Sequence, residues 1–319
     1  MTLLIIFAIY VVLEVLNRTG IINSYLMQIV MFAGINIIMT VSLNIINGFT
    51  GQFSIGQAGF MSVGAYASAV ITRVLFNTYG WPIYMQIPIF LVSLVVGGIA
   101  AAFIGFLIGI PTLKVKGDYL AIVTLGFGEI VRAVIRLIQP IGGARGLSAI
   151  PQYTNLFWIF VFVVLAVYVA RNFVNSTFGR ACISIRENEI AAETMGIDTT
   201  KFKILSFTFA SFLSGVAGGL YAHLLTYIQP DMFSFVKSTD YLVFLYAGGM
   251  SSISGSIVSA LVLTALPEFL RFLASWRMVL YGLLLIVLML KMPNGLFGGK
   301  EFKFLQVRNT KRTVEAAEK

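Results

Sequence analysis

The sequence predicts an all-α fold, a polytopic membrane helix bundle with about 8–10 spans, some of them broken or re-entrant. Of its 319 residues, 58% are hydrophobic and only 11% are charged, whereas a soluble domain carries roughly 25% charged residues. Apolar runs of about 20 residues recur along the chain, and each can cross a hydrocarbon core roughly 30 Å thick. Two segments rich in glycine, serine and amide side chains interrupt this pattern, at 47–60 and 245–256.

Ten apolar runs are candidate spans, and several of them are short. In chain order they are 2–17, 24–46, 58–76, 86–110, 118–138, 155–170, 203–226, 239–250, 256–270 and 276–291. A helix of about 12 residues rises only about 18 Å. The run 239–250 therefore cannot span alone and is predicted to be half of a broken or re-entrant element.

Lysine and arginine positions orient the predicted bundle. They concentrate in the 171–203 connection and in the tail 292–319, and loops that stay in the cytoplasm carry such an excess. The whole chain, 1–319, is thus predicted to be one transmembrane domain with a cytoplasmic loop, a basic cytoplasmic tail and both termini cytoplasmic. The net charge of +9 is explained by these segments, so nucleic acid is not an expected partner.

The rare residue types exclude several functions. The single cysteine, Cys182, excludes an internal disulfide and a multi-cysteine metal site, and the single histidine, His223, argues against a His-rich metal centre. No G-x-x-x-x-G-K-[ST] phosphate loop occurs. We therefore expect no metal or cofactor on this chain, and any energy from ATP must come from partner subunits.

The first interrupted segment, NGFTGQFSIGQAGF at 47–60, lies between two apolar runs. Irregular backbone at membrane depth persists only where protein covers it or a watery cavity borders it. The polar side chains here can satisfy freed backbone groups, as a discontinuous helix lining a substrate path requires. The alternative is a polar cytoplasmic turn. The predicted path residues are Gly48, Gly51, Gln52, Ser54 and Gln57.

The second interrupted segment, LYAGGMSSISGS at 245–256, has the same character. Paired glycine-interrupted segments in the two halves of a chain point to the binding region of a transporter. The alternative is a chance likeness, since glycine is common in membrane helices. The path residues predicted here are Gly248, Gly249, Ser251 and Ser252.

Two further patterns lie inside predicted spans. The G-x-x-x-G pairs at 105–109 and 215–219 favour close helix packing over a direct function. Glu129, Arg132 and Arg136 lie on one helix face at i, i+3 and i+7, and Glu129 can pair with Arg132. These charges either gate or steer a zwitterionic substrate, or form a self-paired cluster that orients the helix near the outer interface.

The central loop, 178–203, mixes charges with small apolar residues. A short helix is predicted over 187–196, with early acidic residues that favour its positive N-terminal end and Gly196 placed to end it. Such a helix can dock in a groove of another protein. The alternative is an amphipathic loop lying on lipid headgroups.

Four stretches carry a family resemblance. They are GFTGQFSIGQAGFMSVGAYASA (48–69), KGDYLAIVTLGFGEIVR (116–132), FGRACISIRENEIAAETMGI (178–197) and GGMSSISGSIVSALVLTALPEFLR followed by NGLFG (248–271 and 294–298). They resemble the permease subunits of branched-chain amino acid ABC importers, the LivM-type subunit most of all. The match follows the order of the family over most of the chain.

The resemblance implies that the short helix is the coupling helix, which sits in a cleft of the ATPase subunit. Importers of this kind often show an E-A-A-x-x-x-G pattern there, and Ala191, Ala192 and Gly196 match its spacing. Ile190 occupies the glutamate position, which leaves the salt-bridge partner in doubt. The ATPase contacts implied are Arg186, Glu187, Glu189, Ala191, Ala192, Glu193 and Gly196.

The resemblance also implies the function: a permease subunit that imports branched-chain amino acids across a bacterial plasma (inner) membrane. Its implied partners are a LivH-like second permease, two ATP-binding subunits and an extracytoplasmic solute-binding protein. One alternative is the same type of permease serving urea, amides or other amino acids. Another is an ion-coupled secondary transporter, which would need Glu14 or Glu129 as its ion site. An intramembrane enzyme is disfavoured, because no nucleophile–base arrangement stands out.

Overall fold

A computed structural model of the chain describes residues 10–11, 14–15, 23–79, 83–112, 118–271, 276–292, 295–297 and 301–302. Helices dominate these residues, and the predicted all-α class is confirmed. The α-helices are α1 (Ser24–Asn44), α2 (Gln57–Tyr79), α3 (Ile83–Thr112), α4 (Asp118–Leu137), α5 (Leu156–Asn175), α6 (Thr177–Glu187), α7 (Glu189–Thr194), α8 (Thr199–Leu225), α9 (Phe235–Gly248), α10 (Ile253–Phe269) and α11 (Arg277–Lys291).

The predicted spans correspond to helices of unequal length and polarity. Among the described residues, four segments are long and apolar enough to cross a membrane: Ser24–Phe49, Met85–Pro111, Leu156–Asn175 and Thr199–Leu225. At about 1.5 Å per residue, α9 and α10 are too short to cross alone, with 14 and 17 residues. The prediction that 239–250 is half of a broken element is thereby confirmed. Ten full crossings remain a prediction, and most of 2–17 and of the tail lies outside the described residues.

Helix α1 runs through the middle of the bundle. Every residue from 33 to 50 is buried, including the polar side chains of Asn36, Thr40, Ser42 and Asn44. Helices α5, α8, α9 and α10 pack around it. Buried polar groups require hydrogen-bond partners, so α1 reaches its neighbours through side-chain bonds such as Asn36 Nδ2 to Thr264 Oγ1 at 2.8 Å.

Small residues bring α2, α3 and α8 into close contact. A methyl group at Gly97 of α3 would lie 2.7 Å from the carbonyl oxygen of Gly64 of α2, and one at Gly215 of α8 would lie 2.8 Å from that of Gly97. A methyl group at Gly105 would overlap the hydroxyl of Ser211. Backbones that approach this closely gain dispersion contacts that larger side chains would prevent. The predicted packing role is confirmed at Gly105, Gly215 and Gly219, whereas a methyl group at Gly109 would meet Ile204 only at 3.9 Å.

Candidate translocation site

The first break, residues 45–56, separates α1 from α2. After Asn44 the chain makes a π-helical turn, Ile45–Phe49, and then runs without regular structure from 51 to 56. Gly51 has a φ of +72°, which glycine adopts without the steric cost that a Cβ brings. Asn47 closes the turn through two side-chain bonds to the backbone of Ser54, both 3.2 Å long. The predicted discontinuity is therefore present.

The second break, residues 249–252, separates α9 from α10. Gly249 and Ser251 have φ values of +105° and +64°, so the chain reverses within four residues. The hydroxyl of Ser252 accepts a 2.9 Å hydrogen bond from the amide of Gly255 and caps α10. Neither interrupted segment lies inside a continuous helix, which is the condition that a discontinuous-helix path requires.

Residues after α11 form hydrogen bonds with backbone groups at the end of α9 and the start of α10. The amide of Leu296 donates to the carbonyl of Ala247 at 2.7 Å, and that of Phe297 to Gly248 at 3.3 Å. The carboxylate of Glu301 accepts from the amides of Ile253 and Ser254 at the start of α10. Burial raises the pKa of Glu301, and these hydrogen bonds lower it in part. The end of the chain thus supplies partners that the break itself lacks.

The two breaks meet through main-chain and side-chain hydrogen bonds. The amide nitrogen of Ser251 donates to Asn44 Oδ1 at 2.9 Å, and Asn44 Nδ2 donates to the carbonyl of Ser252 at 2.9 Å. Ser251 Oγ donates to the carbonyl of Gly48 at 2.7 Å. A methyl group at Gly48 would lie 2.6 Å from the nitrogen of Ser251, so only glycine permits this approach. Asn44 was not among the predicted site residues, although an asparagine ending an apolar run is a detectable signal.

Arg186 joins both breaks to α6. Its Nη1 donates to the carbonyl of Gly48 at 3.1 Å and to the hydroxyl of Ser251, while Glu187 forms an ion pair with Nη2. The sequence predicts Arg186 as an ATPase contact, but its guanidinium points toward the breaks. The side chain takes this direction because Arg186 lies in the last turn of α6, next to Gly51.

A cavity of about 620 Å³ lies between the two breaks. Three predicted path residues, Gly48, Gly51 and Ser251, line this inter-break cavity. The other six predicted path residues lie outside its lining: Gln52, Ser54, Gln57, Gly248, Gly249 and Ser252. The sequence reasoning did not select five of the lining residues for the path: Asn47, Phe53, Arg186, Tyr246 and Met250.

Buried polar atoms without partners concentrate in the stretch from 52 to 57. Within the described part of the chain, six buried side-chain nitrogen or oxygen atoms lack a hydrogen bond, and four of them belong to Gln52, Ser54 and Gln57. Gln57 is half satisfied, since its Nε2 donates to Ser42 Oγ at 2.7 Å and also contacts Ser214 Oγ. Each unmet group costs about 1–3 kcal/mol, so this stretch is suited to binding water or a polar solute.

The segment 177–196 contains two helices, α6 and α7. The predicted bounds 187–196 were wrong: Glu187 is the last residue of α6, and α7 covers only Glu189–Thr194. The break is at Asn188, whose side chain accepts a 3.1 Å bond from the amide of Ala191 and caps α7. Gly196, with a φ of +82°, ends this short helix as predicted.

Two carboxylates of α7 pair with side chains at the start of α8. Glu189 forms a 2.8 Å ion pair with Lys203, and Glu193 accepts a 2.8 Å hydrogen bond from Thr199. Ala192 is buried, whereas the side chains of the apolar residues Ile190 and Met195 are 72% and 82% exposed. The exposed apolar surface is the part of α7 suited to enter a groove on another protein.

The charged face of α4 is internally paired. Glu129 pairs with Arg132, as predicted, and also accepts a 3.2 Å hydrogen bond from the amide of Phe235 at the start of α9. Arg136 pairs with Asp231. These bonds tie α4 to the segment leading into α9, and they occupy Glu129, one of the two carboxylates that could serve an ion-coupled mechanism.

The lone histidine is a packed core residue. His223 is fully buried, and its two ring nitrogens hydrogen-bond Thr72 Oγ1 at 2.9 Å and the carbonyl of Gly219 at 2.8 Å. Phe90 and Tyr153 pack against the imidazole ring. These contacts account for both nitrogens, and no group of three or more potential metal-ligating side chains occurs among the described residues.

Broken helices around a cavity, within a bundle that crosses the membrane, define a membrane transport subunit. The family model described as branched-chain amino acid transport system, permease component, matches residues 25–289. The chain belongs to this family, which confirms the resemblance seen in the sequence. It is thus a multi-pass permease subunit of an ABC transport system rather than an enzyme.

Several curated relatives are similar over most of the chain. The high-affinity branched-chain amino acid transport system permease protein LivM of Escherichia coli K12 is 32% identical, and that of Salmonella typhimurium is 31% identical. Both alignments cover 82% of this chain and 67% of the relative. A probable LivM of Methanocaldococcus jannaschii is 25% identical over 86% of this chain and 93% of its own length. No solved structure matches the chain significantly.

Proposed function

We propose that this subunit imports branched-chain amino acids across a bacterial plasma membrane, with both termini cytoplasmic. It would work beside a LivH-like second permease, two ATP-binding subunits and an extracytoplasmic solute-binding protein. The observation that carries the proposal is the inter-break cavity, which is lined by residues of both helix breaks and by Arg186 of α6. The relatives named LivM support the substrate class.

The proposed mechanism uses the contacts around Arg186. Closure of the ATPase subunits moves α7, which the single residue Asn188 joins to α6. Arg186 lies in the last turn of α6 and holds Gly48 and Ser251 together. Movement of α6 therefore pulls on both breaks at once, and the cavity opens alternately to the two sides of the membrane. Gln52, Ser54 and Gln57 lie outside the cavity lining in this conformation, and we expect their unmet polar atoms to hydrogen-bond water or solute when the path opens.

Transport by the purified complex tests the function. Proteoliposomes containing both permeases and the ATPases, with binding protein outside and ATP inside, should accumulate labelled leucine, isoleucine and valine. Excess urea or acetamide should not compete. Movement of urea without leucine would refute the substrate class, and uptake driven by an ion gradient without the ATPases would refute the ABC mechanism.

Gly196→Arg should separate ATP hydrolysis from transport. No atom lies within 4 Å of a methyl group built at Gly196, so the subunit should still fold, but the φ of +82° disfavours any side chain there. The new arginine adds bulk and charge beside the exposed Ile190 and Met195. We expect ATPase activity to persist while uptake falls by at least about tenfold, the effect of about 1.4 kcal/mol.

Gly196→Ala is the matched control, because it adds the backbone strain without the charge. Strain at this conformation costs about 1–2 kcal/mol, so the alanine variant should retain most uptake. Equal uptake by wild type and Gly196→Arg, measured with ATP hydrolysis in the same vesicles, would show that this end of α7 does not contact the ATPase.

A further inference from the structure

The inter-break cavity has one charged side chain in its lining, and that side chain is a cation. Arg186 is joined there by Asn47, Gly48, Gly51, Phe53, Tyr246, Met250 and Ser251, with no acidic residue. Its ion-pair partner Glu187 lies outside the lining, with 68% of its side chain exposed. The volume of about 620 Å³ falls within the range of about 300–1,000 Å³ that small-molecule sites occupy.

Apolar side chains also line the cavity. Phe53 and Tyr246 pack edge to face with ring centroids 6.4 Å apart, and Met250 is 49% exposed. One ring comes from the first break and the other from the end of α9, so the apolar surface depends on the meeting of the two breaks. A cation beside an apolar surface suits a ligand with a carboxylate at one end and an alkyl group at the other.

The hydrogen bonds of Arg186 Nη1 are replaceable. Nη1 donates only to neutral acceptors, the carbonyl of Gly48 at 3.1 Å and the hydroxyl of Ser251. A carboxylate forms charge-assisted bonds that are roughly twice as strong as neutral ones. Glu187 already accepts hydrogen bonds from Nε and Nη2, so Nη1 is the part of the guanidinium that a further carboxylate can bind. A bound carboxylate would therefore take these donors from Gly48 and Ser251.

We propose that the inter-break cavity is a substrate site, in which Arg186 binds the carboxylate of a small amino acid. The alkyl side chain of the ligand lies against Phe53, Tyr246 and Met250. This inference rests on the proposed function, and it adds the residue that recognises the substrate after the binding protein releases it. Since Arg186 lies two residues before the cap of α7, ligand binding and ATPase movement act on the same side chain.

Protection of an introduced cysteine tests the site directly. Met250→Cys places a thiol on the cavity wall, and the native Cys182 is fully buried. In membrane vesicles holding the full complex, a small neutral thiol reagent modifies this residue, and peptide mass spectrometry gives its rate. The ligands are leucine, 4-methylpentanoate, which lacks the amine, and isoamylamine, which lacks the carboxylate.

Leucine and 4-methylpentanoate should slow the modification, and isoamylamine should not. Arg186→Gln should raise the protecting concentration of 4-methylpentanoate by at least about tenfold, as expected for the loss of a charge-assisted bond. Arg180→Gln is the matched control, because Arg180 is exposed on the same helix outside the cavity lining and should leave protection unchanged. If Arg186→Gln does not assemble, Arg186→Lys decides: it keeps the charge without the guanidinium group, so protection should need a several-fold higher concentration.

Three results would overturn the proposal: protection by isoamylamine equal to that by 4-methylpentanoate, unchanged protection in the assembled Arg186 variants, or no protection by leucine in a complex that transports leucine. Failure of the proposed function is distinguishable from these. A complex that does not take up leucine, but shows Arg186-dependent protection by 4-methylpentanoate, would keep the carboxylate site and refute only the assigned cargo.

Discussion

Replacing Gly51 by leucine should abolish substrate uptake while the subunit remains folded and assembled. A methyl group at Gly51 would lie 2.7 Å from Cγ of Arg186 and 3.3 Å from its Cα. The rest of the leucine side chain would enter the cavity that Gly51 lines. The φ of +72° adds strain of about 1–2 kcal/mol, which is small against a typical folding free energy of about 5–15 kcal/mol.

Uptake in proteoliposomes, measured beside copurification with the ATPases, checks this expectation. Gly51→Ala should lose activity in part, because it displaces Arg186 without filling the cavity. Gly126→Ala is the matched control, since a methyl group there has no atom within 4 Å. Normal uptake by Gly51→Leu would remove the first break from the substrate path, and loss of assembly would assign Gly51 a structural role only.

Both breaks were predictable because their signals are local. Each interrupted segment gathers glycine, serine or amide residues within about a dozen positions between apolar runs. Such a composition disfavours a continuous membrane helix, whatever the rest of the fold. The structure adds that the breaks touch, through Asn44, Gly48 and Ser251. That contact joins positions more than 200 residues apart, and no local pattern records it.

Arg186 shows where local reasoning ends. Its sequence neighbours are charged, so the pattern RENE, 186–189, is typical of a solvated cytoplasmic surface. The direction of its side chain depends on where α6 ends, and that depends on the cap at Asn188. The local signal existed, since asparagine is a preferred N-cap. The helical pattern on both sides of Asn188 obscured it, and the single helix predicted over 187–196 was wrong at its start.

Glu301 could not have been recognised from its surroundings. It lies in a tail dominated by basic residues, which the sequence presents as a solvated cytoplasmic segment. The structure instead brings it to the first amides of α10, where a carboxylate is favoured by the unpaired N–H groups of the helix. The end of α9 and the start of α10 leave backbone groups without partners in their own helices. Which residues pair with them is determined by the tertiary fold.

The second large effect is expected at the contact of α2, α3 and α8. Gly64→Val should strongly destabilise the subunit, because a side chain there would overlap the backbone of Gly215. Gly97 of α3 packs against both Gly64 and Gly215, so moving α2 away from α8 would also disturb the contacts of α3. The backbone fixes the position of the valine Cβ, so no rotamer relieves this clash. We expect the free energy of unfolding to fall by about 3 kcal/mol, the upper part of the range for overpacking.

Gly109→Ala separates this packing effect from the general effect of losing a glycine. It lies on α3 in the contact with α8, but a methyl group there meets Ile204 only at 3.9 Å, which is ordinary van der Waals contact. Alanine is favoured over glycine in a helix by up to about 1 kcal/mol, so this variant should be as stable as wild type or slightly more so. The measurement is the fraction of monodisperse subunit after heating in detergent. Equal heat resistance of Gly64→Val and wild type would contradict the close approach of α2 to α8 at Gly64 and Gly215. The stability of the bundle would then not depend on this three-helix contact.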